Sequence, residues 1–254
     1  MRINRTSKRT IDILELISKN KKGLTLKEIT RIMDIPQTSA FDILQTLLSM
    51  NLIAEKNETY KKYILGIKAY EIGMAYTYNN DIIQISIPYL EELGEKLGKT
   101  SFLGILDKDQ VAYIYKYEPS NAVVTTAKIG SRNDIYSTSL GKVLLAYLEE
   151  EQQLELINTM QFTQKTKRTI DSKIKLLKEI EIIKEKGYGI DNRELEEYIF
   201  CIGAPVFDNK NKIIAAVSVT GLYKEDLEIE KEASFVIETA KNISVKMGNK
   251  NISL

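Results

Sequence analysis

The chain has 254 residues, 43% hydrophobic and 28% charged, with 36 Lys and Arg against 35 Asp and Glu, one cysteine and no histidine. That is globular composition, enough for one large or two modest domains, with no apolar run near the ~20 residues of a membrane span. The missing histidine excludes Ser-His-Asp and Cys-His catalysis and nearly every common zinc site, and no GxxxxGK[ST] or GxGxxG phosphate loop is present, so no metal or cofactor is expected.

Met1-Arg2-Ile3-Asn4-Arg5 has no apolar run behind its charges, so a secretory leader is not expected. A lone Cys201 forms no intrachain disulfide and fits a cytoplasmic location. Charge is uneven along the chain. Residues 1–65 hold 12 Lys and Arg against 7 Asp and Glu, a net of +5, whereas the other 189 hold 24 against 28, a net of −4. A basic segment ahead of a mildly acidic one points to a polyanion partner for the first.

Ile11, Leu14 and Ile17, flanked by Ile13 and Leu16, recur at helical spacing, with Thr6 or Ser7 as cap and Asn20-Lys21-Lys22-Gly23 as stop. Thr25 followed by Glu28 is a capping box and starts a short second helix near Leu26. Asp34-Ile35-Pro36 interrupts it. Proline is favoured at a first helical position, so Pro36 restarts a helix with Ile43, Leu44, Leu47 and Leu48 inward and Met50-Asn51 at its end.

Two helices joined by a tight turn form a helix-turn-helix. The second presents Gln37, Thr38, Ser39, Phe41, Asp42 and Gln45, side chains suited to base edges. Short strands at 52–55 and 63–65 bracket a polar hairpin, a wing whose Lys56, Lys61 and Lys62 suit phosphate contacts on double-stranded DNA.

Residues 66–80 read as a linker helix striped by Ile67, Tyr70, Met74 and Tyr78, a face for core packing or for a dimer contact. A helix follows from Asp81 to about Leu97, with Ile83, Ile87, Leu90, Leu93 and Leu97 available for burial. The period then changes to two, giving strands at 101–106, 111–117 and 122–129. Two or three helices occupy 139–186, the last carrying Ile174, Leu177, Ile180 and Ile183. Strands at 199–207 and 213–220 and a helix over about 225–247 complete the chain. Hairpins with helices grouped between them predict an α+β domain with an antiparallel sheet flanked by helices.

Strand alternation puts Ser218 and Thr220 on one sheet face and Val217 and Val219 on the other. Ile199, Cys201 and Gly203 likewise share a face. If the valines pack on helices, the hydroxyl face meets either solvent or a pocket. Ser137-Thr138-Ser139 precede an apolar helical run, where a single hydroxyl suffices for N-capping and free amides can also hold an anion.

The N-terminal segments Ile11-Asp12-Ile13-Leu14-Glu15-Leu16, Gly23-Leu24-Thr25-Leu26-Lys27-Glu28-Ile29, Pro36-Gln37-Thr38-Ser39, Leu44-Gln45-Thr46-Leu47 and Tyr63-Ile64-Leu65-Gly66 resemble the IclR family of bacterial transcriptional regulators. So do Ser139-Leu140-Gly141-Lys142, the run from Gly187 through Val206, and Ala215 through Gly221, so that the resemblance spans about Thr6 to Met247. It implies a winged helix-turn-helix domain at 1–65, a linker helix at 66–80 and a GAF-like effector-binding domain at 81–254. It also implies a homodimer or homotetramer, no membrane partner and no enzymatic activity. By position it implies effector-binding roles for Ser139, Leu140, Asp191, Cys201, Ser218 and Thr220, with Ile199 as an apolar wall, and a small organic acid or related anionic metabolite as the effector.

Three residues depart from the family pattern. Asp42 stands where arginine is frequent in the recognition helix; a carboxylate disfavours phosphate but can accept from cytosine N4. Tyr198 replaces the usual glycine and Gly203 an alanine, both beside the expected pocket. The competing reading is a small-molecule enzyme with an N-terminal interaction domain, using Asp191 and Glu194 as acid and base and Lys142 as a Schiff-base amine. Cys201 reads as a pocket-lining residue rather than a nucleophile, having no cationic neighbour in sequence.

Overall fold

In the computed structural model Asn4, rather than Thr6 or Ser7, caps the first helix. Its side chain accepts the Ser7 amide at 3.0 Å, and α1 runs Arg5–Ser18. The structure describes residues 3–57, 60–78, 81–120, 122 and 126–250, in two units, Met1–Asn80 and Asp81–Leu254.

In the first unit α1 buries Ile13 and Ile17, with Leu14 and Leu16 partly covered, whereas Ile11 is 56% exposed. Five apolar residues cover too much of the helix circumference for spacing to fix its phase; tertiary packing chooses the Ile13–Ile17 pair. The capping box forms as the spacing predicts: the Thr25 amide donates to Glu28 Oε2 at 2.8 Å and the Glu28 amide to Thr25 Oγ1 at 3.3 Å, opening α2, Leu26–Met33. Asp34 ends it at φ 50°. Pro36 is the cap of α3, Gln37–Ser49, rather than its first residue. Ile43, Leu44 and Leu47 are buried, Leu48 only partly.

β1 (Ile53–Asn57) and β2 (Lys61–Leu65) form an antiparallel hairpin, whose residues 58–59 lie outside the described set. Tyr63 also exchanges both backbone hydrogen bonds with Leu24, at 3.1 and 2.8 Å, tying the hairpin to the α1–α2 turn. The helix expected over 66–80 is α4, Ile67–Tyr78, with residues 79–80 outside the described set.

The second unit is built on a six-stranded, wholly antiparallel sheet of order β5-β4-β3-β8-β7-β6. The strands are β3 (Thr100–Asp107), β4 (Gln110–Tyr117), β5 (Arg132–Asp134), β6 (Gly189–Asn192), β7 (Ile199–Phe207) and β8 (Ile213–Leu222). One face packs Leu103, Ile202, Val217 and Val219 against α5 (Asp81–Leu97) and α9 (Ile229–Lys246). The other packs Phe102 and Ala216 against α6 (Ser139–Ala146) and α8 (Lys173–Lys186), with α7 (Glu150–Thr159) beside them.

Both edge strands, β5 and β6, are too short to show an alternation in sequence. Of the strand expected over 122–129, residues 122 and 126–129 are not strand, and 123–125 lie outside the described set. In α8 the buried face is Leu176, Ile180 and Ile183; Ile174 and Leu177, also in the expected stripe, are exposed. In α5, Ile83, Leu90 and Leu93 are buried as expected, with Ile87 and Leu97 partly so, and the covered face also takes Ile82 and Ser86.

Candidate functional site

In the first unit the start of α3 is the exposed end of a helix seated by Ile43, Leu44 and Leu47. Gln37, Thr38, Asp42 and Gln45 are exposed, Phe41 is 45% exposed, and Ser39 is half-buried, accepting from Arg9 at 3.4 Å. On the hairpin, Lys56 stands opposite Lys62, and Lys61 forms an ion pair with Glu55 and lies over the Tyr63 ring. Lys62 is close enough to Glu28 to help hold that carboxylate below its usual range, behind the larger effect of the Thr25 hydrogen bonds. Lys61 is thus paired with a carboxylate of the same hairpin.

In the second unit a cavity opens between the sheet and the start of α6. All seven residues expected at the effector site line it: Ser139, Leu140, Asp191, Ile199, Cys201, Ser218 and Thr220. Register explains the assembly. Asp191 pairs with Cys201 and Cys201 with Thr220, so β6, β7 and β8 present one row of side chains; Gly203 and Ser218 form the next row. Ser218 and Thr220 are buried, so the hydroxyl face meets a pocket and not bulk solvent. Their neighbours Val217 and Val219 pack on the α5–α9 side.

Two glycines permit the close approach of α6. A Cβ on Gly141 would stand 2.4 Å from the Ile135 carbonyl oxygen, and one on Gly203 would sit 3.2–3.3 Å from Ser139 atoms. Thr138 alone caps α6, accepting the Gly141 amide at 3.0 Å, so one hydroxyl of the three does the capping. Tyr198, expected beside the pocket, is 74% exposed and does not line it.

Phe102, Tyr113, Thr138, Leu195 and Glu196 also line the cavity and escaped the sequence reading. Phe102 shares a row with Ser218 across the β3–β8 ladder, a parity that was available in sequence. Tyr113 was not: the ladder shifts register beside Gly104, its partner, so alternation does not carry through. Its phenol accepts from Asn133 at 3.2 Å, and burial raises its pKa.

Asp191 is 1% exposed. Its Oδ1 accepts the Glu194 amide at 2.7 Å and the Leu195 amide at 3.4 Å. Burial, and then the Glu194 charge, push its pKa up to about 7, against the opposing pull of those amides and of Lys142. Behind it the fully buried Lys142 ammonium donates to both Glu194 oxygens at 2.7 and 2.9 Å and to Glu179 at 3.3 Å. Burial also raises the pKa of Glu194, with Lys142 opposing. Desolvation holds the Cys201 thiol well above its usual value, and Thr220 donates to its sulfur at 3.2 Å. A half-buried thiol held in its protonated form is an inert wall. Lys142, enclosed between carboxylates and not itself part of the cavity lining, is not placed as a Schiff-base amine.

A winged helix-turn-helix followed by a domain with a buried polar pocket defines a two-domain, DNA-binding transcriptional regulator of the ligand-responsive kind. Residues 7–56 match the IclR helix-turn-helix domain and residues 74–245 the bacterial transcriptional regulator IclR C-terminal domain; the chain belongs to the IclR family.

It is 33% identical over 240 residues to the HTH-type transcriptional regulator KdgR of Dickeya chrysanthemi, covering 93% of this chain and 77% of that one. With KdgR of Escherichia coli K12 it shares 31% over 239 residues, 93% and 90% of the two chains. Among solved structures, the Thermotoga maritima IclR superposes with a TM-score of 0.82 at 29% identity, covering 96% and 98% of the two chains. An IclR homolog of Microbacterium hydrocarbonoxydans, complexed with 4-hydroxybenzoate, shares the fold with a TM-score of 0.85 at 18% identity, covering 95% and 98%. Among the described residues no helix is long and apolar enough to cross a membrane.

Proposed function

We propose that this regulator binds an operator as a homodimer or homotetramer in the cytoplasm and responds to a small organic acid held in the cavity of its second unit. Residues 1–65 carry the operator contacts, 66–80 the linker and 81–254 the effector site. The observation that carries the sensing half is the row Asp191–Cys201–Thr220, facing the start of α6 across a cavity. Hydroxyls at Ser218 and Thr220 orient the effector, and the first-turn amides of α6 suit a carboxylate. The 4-hydroxybenzoate in the homologous Microbacterium structure supports an acid of that size.

At the DNA, Gln37, Thr38, Ser39, Asp42 and Gln45 face base edges, Phe41 suits a thymine methyl, and Lys56, Lys61 and Lys62 meet phosphates. On α4, Ile67, Tyr70, Ile72, Tyr76 and Tyr78 are all more than half exposed, which supports a contact between copies. The regulatory role of the relatives and the enclosure of Lys142 favour this reading over an enzyme. The test is binding of the full chain to duplex DNA from upstream of its own gene and neighbouring genes, with and without a panel of small acids. Specific retardation relieved or strengthened by one acid supports the proposal; sequence-independent binding unaffected by any acid opposes it.

A further inference from the structure

An anion entering the cavity meets an unusual lining. Among the described residues no lysine or arginine lines it, whereas two carboxylates do, Asp191 and Glu196. The nearby buried cation, Lys142, is taken up by Glu194 and, from α8, by Glu179. Glu196 is held by the Thr126 hydroxyl at 2.5 Å. From the sheet, the titratable groups around Asp191 are Cys201 on β7 and Tyr113 on β4, both held neutral by desolvation, so neither supplies a positive charge. An effector carboxylate thus faces the buried Asp191 carboxylate with no positive side chain between them.

Resting on the reading of this cavity as the effector site, we propose that Asp191 takes up one proton from solvent when an anionic effector binds, and donates it from Oδ2 to the effector carboxylate. The backbone fixes which oxygen carries it. Both amide donors, of Glu194 and Leu195, fall on Oδ1, which must remain an acceptor; Oδ2 receives no hydrogen bond among the described residues. The proton comes from water and remains on the Asp191–effector pair, so charge balances: one carboxylate is neutralised as one anion enters. Burial already brings this carboxyl to a pKa of about 7, so the uptake costs little near neutrality. Asparagine reproduces the protonated state, with Oδ1 accepting the same amides and an amide NH₂ in the place of Oδ2–H.

The probes are acetate, lactate, benzoate and 4-hydroxybenzoate, with benzamide as the uncharged control, titrated into the full chain between pH 6 and 8.5 by ligand-observed NMR and calorimetry. Those acids' carboxyls stay ionised throughout that range. A carboxylate that binds at pH 6 is expected to weaken by about tenfold per pH unit above about 7, with close to one proton taken up per ligand at pH 8. Asp191→Asn should bind it at pH 8 as tightly as the wild type does at pH 6, with no pH dependence. Carboxylate binding that is flat with pH, or that Asp191→Asn abolishes, overturns the proton inference and leaves the effector site standing. No carboxylate bound by either protein at pH 6 overturns both.

Discussion

Lys142 and Glu194, 52 residues apart in sequence, meet in a bidentate ion pair at 2.7 and 2.9 Å, with the lysine side chain wholly closed to solvent. The pair joins α6, which opens the effector cavity, to the segment after β6, which walls it. The Thr166 and Thr169 hydroxyls hold the same segment, donating to the carbonyls of Arg193 and Glu194 at 2.7 Å each.

Removing one partner leaves the other charged and buried, a change typically costing about 3–5 kcal/mol. Lys142→Met should therefore destabilise strongly, and adding Glu194→Gln should restore much of the loss. Urea unfolding followed by tyrosine fluorescence reads this, since the chain has 14 tyrosines and no tryptophan. Equal stability of Lys142→Met and wild type would remove the ion pair from the account.

The Asp191 carboxyl gives a stability signature with a definite sign. Its folded pKa, about 7, lies above its ordinary value of 3.8. The native state then holds its proton more tightly than the unfolded chain, so stability falls as pH rises between those values and levels off above them. Asp191→Asn lacks this decline. Relative to wild type it should gain on the order of 3 kcal/mol from pH 4 to pH 8. Denaturation midpoints of both proteins across that range check it; parallel curves would contradict the raised pKa.

At the DNA surface, Gln37→Ala should relax base preference at one operator position by roughly 1–3 kcal/mol. Lys56→Ala should weaken all duplexes alike and reduce the salt slope by about one. Anisotropy titrations over an operator library at several salt concentrations separate the two. Indistinguishable profiles would refute the division of labour between α3 and the hairpin.

The Lys61–Glu55 ion pair makes a forecast of its own. Glu55→Gln should release the ammonium and remove a charge that repels phosphate, tightening non-specific binding several-fold at low salt, with the gain fading as salt rises. Weaker binding by Glu55→Gln would mean that the pair positions the wing.

How much of this was legible in sequence follows from local physics. Thr25 and Glu28 announce α2 because a capping box lies within four residues. Ser218 and Thr220 share a face, and Ile199 and Cys201 share one, because strand alternation needs no partner to be read; that both faces meet one cavity is decided by the β7–β8 register. Asp191 and Ser139 are expected at the site only through family resemblance. The strand β6 that positions Asp191 has only four residues, Gly189–Asn192, too few for a period. The Lys142–Glu194 pairing was invisible, since it is decided by packing between distant segments. Ile11 and Ile174 are apolar at helical spacing, yet each helix buries a neighbouring phase.

The central claim is that occupancy of the cavity changes operator affinity. It is tested most directly by titrating an operator duplex into the full chain with and without its effector, for wild type and for Ser218→Ala combined with Thr220→Val. The account predicts that effector shifts wild-type DNA affinity by about 5–150-fold, that the duplex shifts effector affinity by the same factor, and that the double variant binds DNA as the free wild type does but no longer responds. A double variant that responds as fully as the wild type would contradict it.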